Sequence, residues 1–167
     1  MMNRTIRGSV FFLLPALCFI WGCWVTGSIH TAAKEGKRDV VQRWLAISGD
    51  LNERDSRGST PLHCAVENGH RDIAEMLLNK GAEIDAVNDL GNTPLHEAAW
   101  KGHIDLVKFL IEKGARADIR AVDGKTARDL AEKNSRTDII EFFRHVPVAT
   151  ASSANQASDT EHRPSSR

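Results

Sequence analysis

Apolar side chains in the middle of this chain fall into two alternating kinds of cluster. Leu95, Ala98 and Ala99 make a narrow stripe of mostly small residues at helical spacing, with Thr93 and Pro94 in front and Gly102 behind. Proline has no N–H to lose at the first position of a helix, and glycine accepts positive φ at its end, so this stretch predicts one short helix. Leu106, Val107, Leu110 and Ile111 then give a wider apolar face closed by Gly114, which predicts a second helix beginning near Ile104. The segments between such pairs, as from Ala82 to Asn92, are polar and turn-rich and predict an extended loop or short hairpin.

The same order returns every 33 residues without insertion or deletion. Thr60, Pro61, Leu62 and His63 come back as Thr93, Pro94, Leu95 and His96, and in weakened form as Thr126, Ala127, Arg128 and Asp129. Gly58, Gly91 and Gly124 keep the frame, as do Gly36, Gly69 and Gly102, and the alanines 65, 98 and 131. Carried backwards, the frame sets Ala32 and Ala33 over Ala65 and Val66. Four units result, over about 29–54, 55–87, 88–120 and 121–146. A period of this length predicts an all-α solenoid of stacked helix-turn-helix units joined by short loops or hairpins.

The second unit reads GSTPLHCAVENGHRDIAEMLLNKGA from Gly58 to Ala82, and the third reads GNTPLHEAAWKGHIDLVKFLIEKGA from Gly91 to Ala115. Both resemble the ankyrin repeat at nearly every family position. The first unit lacks the Thr-Pro start and carries Trp44 where the others have Leu77 and Leu110, and the fourth has lost Pro-Leu-His. Departures at the two ends suit capping units, whose outer faces meet water. The resemblance implies that His63 and His96 hydrogen-bond loop backbone and tie one unit to the next.

The flanks are different. Arg4 and Arg7 precede an uncharged stretch from Gly8 to Ile29 holding Phe11, Leu13, Leu17, Trp21 and Trp24, and charge resumes at Lys34. This pattern reads as an export or membrane signal over residues 1–28, against a competing reading in which the protein begins further along. Its apolar core lies near the boundary between a cleaved leader and a spanning helix, which needs about 20 residues. Three fates are open: cleavage near Thr26 to Ser28, retention as a single-pass anchor with its basic end inside, or, ranked third, acylation of Cys23 in the lipobox-like run Ile20, Trp21, Gly22, Cys23. All three put the repeats outside the cytosol, periplasmic, secreted or tethered, with membrane contact through the N-terminal segment alone. Residues 147–167 carry no large aromatic or long aliphatic side chain and read as a disordered tail.

Basic and acidic side chains balance at 22 each, with no basic stripe of the kind nucleic acid requires. Of three cysteines, Cys18 and Cys23 lie in the leader and only Cys64 falls in the repeats, so no disulfide framework is expected. That absence, with no Asn-x-Ser/Thr acceptor outside the leader, leans towards a bacterial envelope.

Seven histidines invite a metal reading, which geometry opposes. His63 and His96 are equivalent residues in adjacent units, and packed helices lie about 8–10 Å apart. Zinc holds each nitrogen at about 2.0–2.1 Å, so stacked equivalents cannot share an ion. His63 and Cys64 are neighbours on one helix and point about 100° apart. The slot of Cys64 is taken by Glu97 in the next unit, and an exposed or half-buried thiol is the expectation there. No phosphate-cradling loop, nucleophile elbow or HExxH helix occurs, so neither enzyme nor cofactor is expected.

A binding surface remains. By the register of the resemblance, the loop tips are Ser56, Arg57 and Ser59, then Asp89, Leu90 and Asn92, then Val122, Asp123 and Lys125. The positions before Gly-His are Glu67 and Asn68, then Trp100 and Lys101. Leu90 and Trp100 put large apolar groups where neighbouring units carry polar ones, and exposed tryptophan is a favoured interface anchor. The expected role is a non-catalytic module that binds a partner protein. The alternatives are self-association through the ends of the stack near Trp44 and a redox or metal role for Cys64.

Overall fold

A computed structural model describes residues 28–47 and 49–146. The leader with Cys23 and the tail at 147–167 lie outside the described residues, so nothing in the structure bears on their fates. The described residues form eight helices and no strand. They are α1 (Ile29–Lys34), α2 (Arg38–Ala46), α3 (Pro61–Glu67), α4 (Arg71–Asn79), α5 (Pro94–Lys101), α6 (Ile104–Glu112), α7 (Ala127–Lys133) and α8 (Thr137–His145). The first helix of each pair packs on its own second helix and on the first helices of the adjoining pairs.

Side-chain size sets the shape of the stack. Along the first helices the facing positions are Ala32, Ala65, Ala98 and Ala131, all buried, so these backbones approach closely. The second helices meet through Ile73, Leu106 and Ile139 and through Leu77, Leu110 and Phe143, also buried, and their larger volume holds α2, α4, α6 and α8 further apart. The first-helix side of the row is therefore the more closely packed one.

Thr60, Thr93 and Thr126 are extended N-caps, with φ near −83, −88 and −89°. At the other end, Gly36 and Gly102 have φ of +73 and +89°, where an L side chain is strained, and an added Cβ would lie 2.7 Å from His70 Cε1 and 2.8 Å from Arg136 Nε, so that the neighbouring side chain would have to shift. In the last described pair the same place is held by Ser135 at φ +55°.

The connecting segments close as hydrogen-bonded tips without becoming strands. Asp55, Asn88 and Ala121 each donate a backbone N–H to the carbonyl four residues on, at 2.9, 3.0 and 2.9 Å, and Gly58, Gly91 and Gly124 bond back to them. Neighbouring tips are joined by Asp89 N–H to Arg57 C=O at 3.1 Å and Val122 N–H to Leu90 C=O at 2.9 Å. On the far side of the loops, Asn52 Oδ1 accepts from Glu83 N–H at 2.9 Å and Asp85 Oδ1 from Arg116 N–H at 3.0 Å.

Candidate binding groove

Two sets of histidines lock the loops to the helices. Thr60 N–H donates to His63 Nδ1 at 3.2 Å, which makes that nitrogen the acceptor and leaves Nε2–H to donate to Asn92 C=O at 2.9 Å. His96 repeats the arrangement with Thr93 N–H at 3.2 Å and Lys125 C=O at 3.2 Å. Both rings are buried, and burial lowers their basicity, His63 to about 4. His70 and His103 reach backwards instead, to Lys34 C=O at 3.0 Å and Glu67 C=O at 3.2 Å. Each ring nitrogen of His63 and His96 thus has a partner inside the fold, as the resemblance implies. Among the described residues no group of three or more His, Cys, Asp or Glu is placed to hold a metal ion.

The ends depart in ways the repeat explains. His30 occupies the register of His63, but its Nε2 bonds Glu53 C=O at 2.8 Å, and Ser28 caps α1 in place of threonine. In the last pair Asp129 replaces histidine, and its Oδ2 accepts from Thr126 N–H and Oγ1–H, both at 2.9 Å. The Thr126 amide bond holds the Asp129 carboxyl below its usual range. A carboxylate closes the cap without reaching forward, which suits a unit with no described successor.

Between the tips and the first helices runs a groove of about 760 Å³. Its outer wall is Leu90 and Val122, which are 66% and 81% exposed. The inner wall is Trp100, 37% exposed, and the edge of Leu130. Glu97 forms the floor, with Oε1 accepting from the Asn88 and Asn92 side-chain amides at 3.3 and 3.2 Å. Glu67 stands at one end between Arg57 at 3.5 Å and Lys101 at 3.2 Å. Lys133 lies over the Trp100 ring with Nζ 5.3 Å from its centroid.

Of the residues expected to bind, Arg57, Ser59, Glu67, Asp89, Leu90, Asn92, Trp100 and Asp123 line this groove. Ser59 offers little, being 4% exposed with its N–H held by Asp55 Oδ1 at 2.8 Å. Three others stand outside the lining. Asn68 is exposed and its amide donates to Cys64 C=O at 2.9 Å. Lys101 meets Glu67, and Lys125 turns its Nζ to Asp123 Oδ2 at 2.9 Å. The structure adds Glu97, Leu130 and Lys133, which the register alone could have supplied, because they stand one or two periods after Cys64 and Trp100.

Cys64 corrects an expectation. Its side chain is buried, at 3% exposure, rather than half-open, and burial pushes the thiol up to about 11, away from reactive thiolate character at neutral pH. It belongs to the buried core shared with the alanines of the first helices.

A family model for ankyrin repeats, three copies long, matches residues 29–121 and again residues 86–146. No curated protein matches the chain. Such repeats generally mediate protein–protein contacts and are typically non-catalytic. With eight helices in four stacked pairs, the Thr-Pro-Leu-His caps in place and most of the sequence matched, the chain belongs to the ankyrin-repeat family.

Proposed function

We propose that this protein is a non-catalytic interaction module, exported or membrane-tethered, that binds a partner protein through its loop tips and first helices. The observation that carries the reading is the groove itself, lined together by an accessible tryptophan and two exposed aliphatic side chains on tips already fixed by backbone hydrogen bonds. Rigid walls lose little conformational entropy on binding, and large apolar anchors in a groove supply most of an interface's energy. Trp100→Ala and Arg57→Glu are expected to weaken binding to an identified partner while leaving the thermal midpoint nearly unchanged. Equal affinity in both variants removes this face from the account.

Export rests on the sequence of the leader, Arg4 and Arg7 before an uncharged apolar run. No helix among the described residues is long and apolar enough to cross a membrane. Mass spectrometry of the mature N-terminus separates cleaved, anchored and Cys23-acylated forms. A second reading, self-association through the first unit, draws on Ile47, 79% exposed beside the half-buried Trp44. A molar mass by light scattering that rises with concentration would favour it.

A further inference from the structure

The charges around the groove are unequally satisfied. Arg57 lies within ion-pair reach of both Asp55 and Glu67, at 3.6 and 3.5 Å. Lys101 also meets Glu67, and Lys125 meets Asp123 at 2.9 Å. Among the described residues, neither Asp89 on the tip nor Glu97 on the floor has a cation within ion-pair distance. Glu97 is held in place only by neutral amides. Lys133, which among the described residues has no carboxylate within ion-pair distance, lies on the aromatic face of Trp100.

Two carboxylates without cations therefore flank an apolar channel, and the aromatic wall of that channel already accommodates an ammonium. We infer that the groove takes a protein segment presenting a Lys or Arg side chain next to a large apolar one. The inference rests on the proposed binding role and names the chemistry of the partner. The apolar side chain fills the space between Leu90, Val122 and Trp100, and the cation reaches Glu97 or Asp89. Leaving water costs those carboxylates solvation, which a neutral or acidic segment does not return. Lys133 covers the Trp100 ring in the free protein, so it competes with the incoming apolar side chain for that face and repels the cation beside it.

A random seven-residue peptide display library, selected on the full chain, tests this. Retained peptides are expected to carry Lys or Arg within two positions of Leu, Ile, Phe or Trp, and to lose binding to the Trp100→Ala protein. Glu97→Gln and Asp89→Asn each keep the hydrogen-bonding shape and should weaken a retained peptide about two- to fivefold, as exposed ion pairs do. Lys133→Met keeps the stem, removes the charge and should tighten it by a similar factor. Peptides that depend on Trp100 but are acidic or uncharged overturn the inference and leave the binding groove standing. So do peptides weakened by Lys133→Met. Peptides indifferent to Trp100, or a library from which nothing is retained, overturn both.

Discussion

The two inner repeats and the two outer ones share a frame but divide the labour differently. Inside, one residue performs two tasks: His63 closes the cap of its own helix through Nδ1 and grips the next loop through Nε2, and His96 does the same. At the outer units this residue makes no bridge to a neighbouring repeat. Asp129 keeps the cap alone, and His30 joins the Ser28 hydroxyl through Nδ1 but sends its Nε2 to Glu53 within its own repeat. The helices follow suit, since α2 buries only Val41 while α6 buries Leu106, Val107, Phe109 and Leu110. What the stack asks of a residue depends on whether a neighbour lies on the other side of it.

The comparison can be broken most forcefully through the core. Leu77→Ala removes a fully buried side chain from α4 and should cost about 2–5 kcal/mol in urea unfolding. Leu45→Ala, on the half-buried face of α2, should cost roughly half as much. Similar losses at both sites would mean that the first repeat is as tightly integrated as the second.

Next come the bridges. His63→Ala strands the Thr60 N–H and the Asn92 carbonyl and should cost about 1–3 kcal/mol. Asp129→Ala loses only a cap, worth about 1 kcal/mol.

Acid should select the same residues. Free histidine titrates near 6.5 and His63 in the fold near 4, so between those values the unfolded chain holds more protons. Stability is therefore full above about pH 6.5 and falls as pH drops towards 4, with a slope of up to about 1.4 kcal/mol per pH unit for His63. His96, lowered in the same direction by burial, adds to the slope. His63→Gln should flatten the profile, and a profile unchanged by it would locate the acid sensitivity elsewhere.

The smallest contrast is in the turns. Gly102→Ala meets both a left-handed φ and the Arg136 guanidinium and should cost about 1–2 kcal/mol. Ser135→Gly, at the same place in the last described repeat, should change the unfolding free energy by only a few tenths of a kcal/mol in either direction.

Most of the fold was legible because a solenoid repeats its environment as it repeats its residues. Thr93, Pro94 and Gly102 mark the ends of α5, and Ile104 begins α6 where the apolar spacing places it. The positions facing the groove could be read by register for the same reason. What escaped were contacts between unlike residues. Lys133 over Trp100 joins two slots that are equivalent in register but opposite in chemistry, so neither residue announces the other. The depth of Cys64 depends on how closely alanine-lined helices approach, which composition alone does not measure. His30 was hidden because Ser28 stands where proline would have flagged the cap.

The hydrogen bonds between loop tips carry one more consequence. Each links a donor at position 89 or 122 to an acceptor 32 residues earlier, at 57 or 90, so the unit over 88–120 both brings a donor and offers an acceptor. A duplicate of residues 88–120 spliced in after residue 120 would find matching chemistry on both sides. The length of this stack is accordingly a matter of counting modules, and can be extended in evolution or at the bench by whole steps without redesigning any single one.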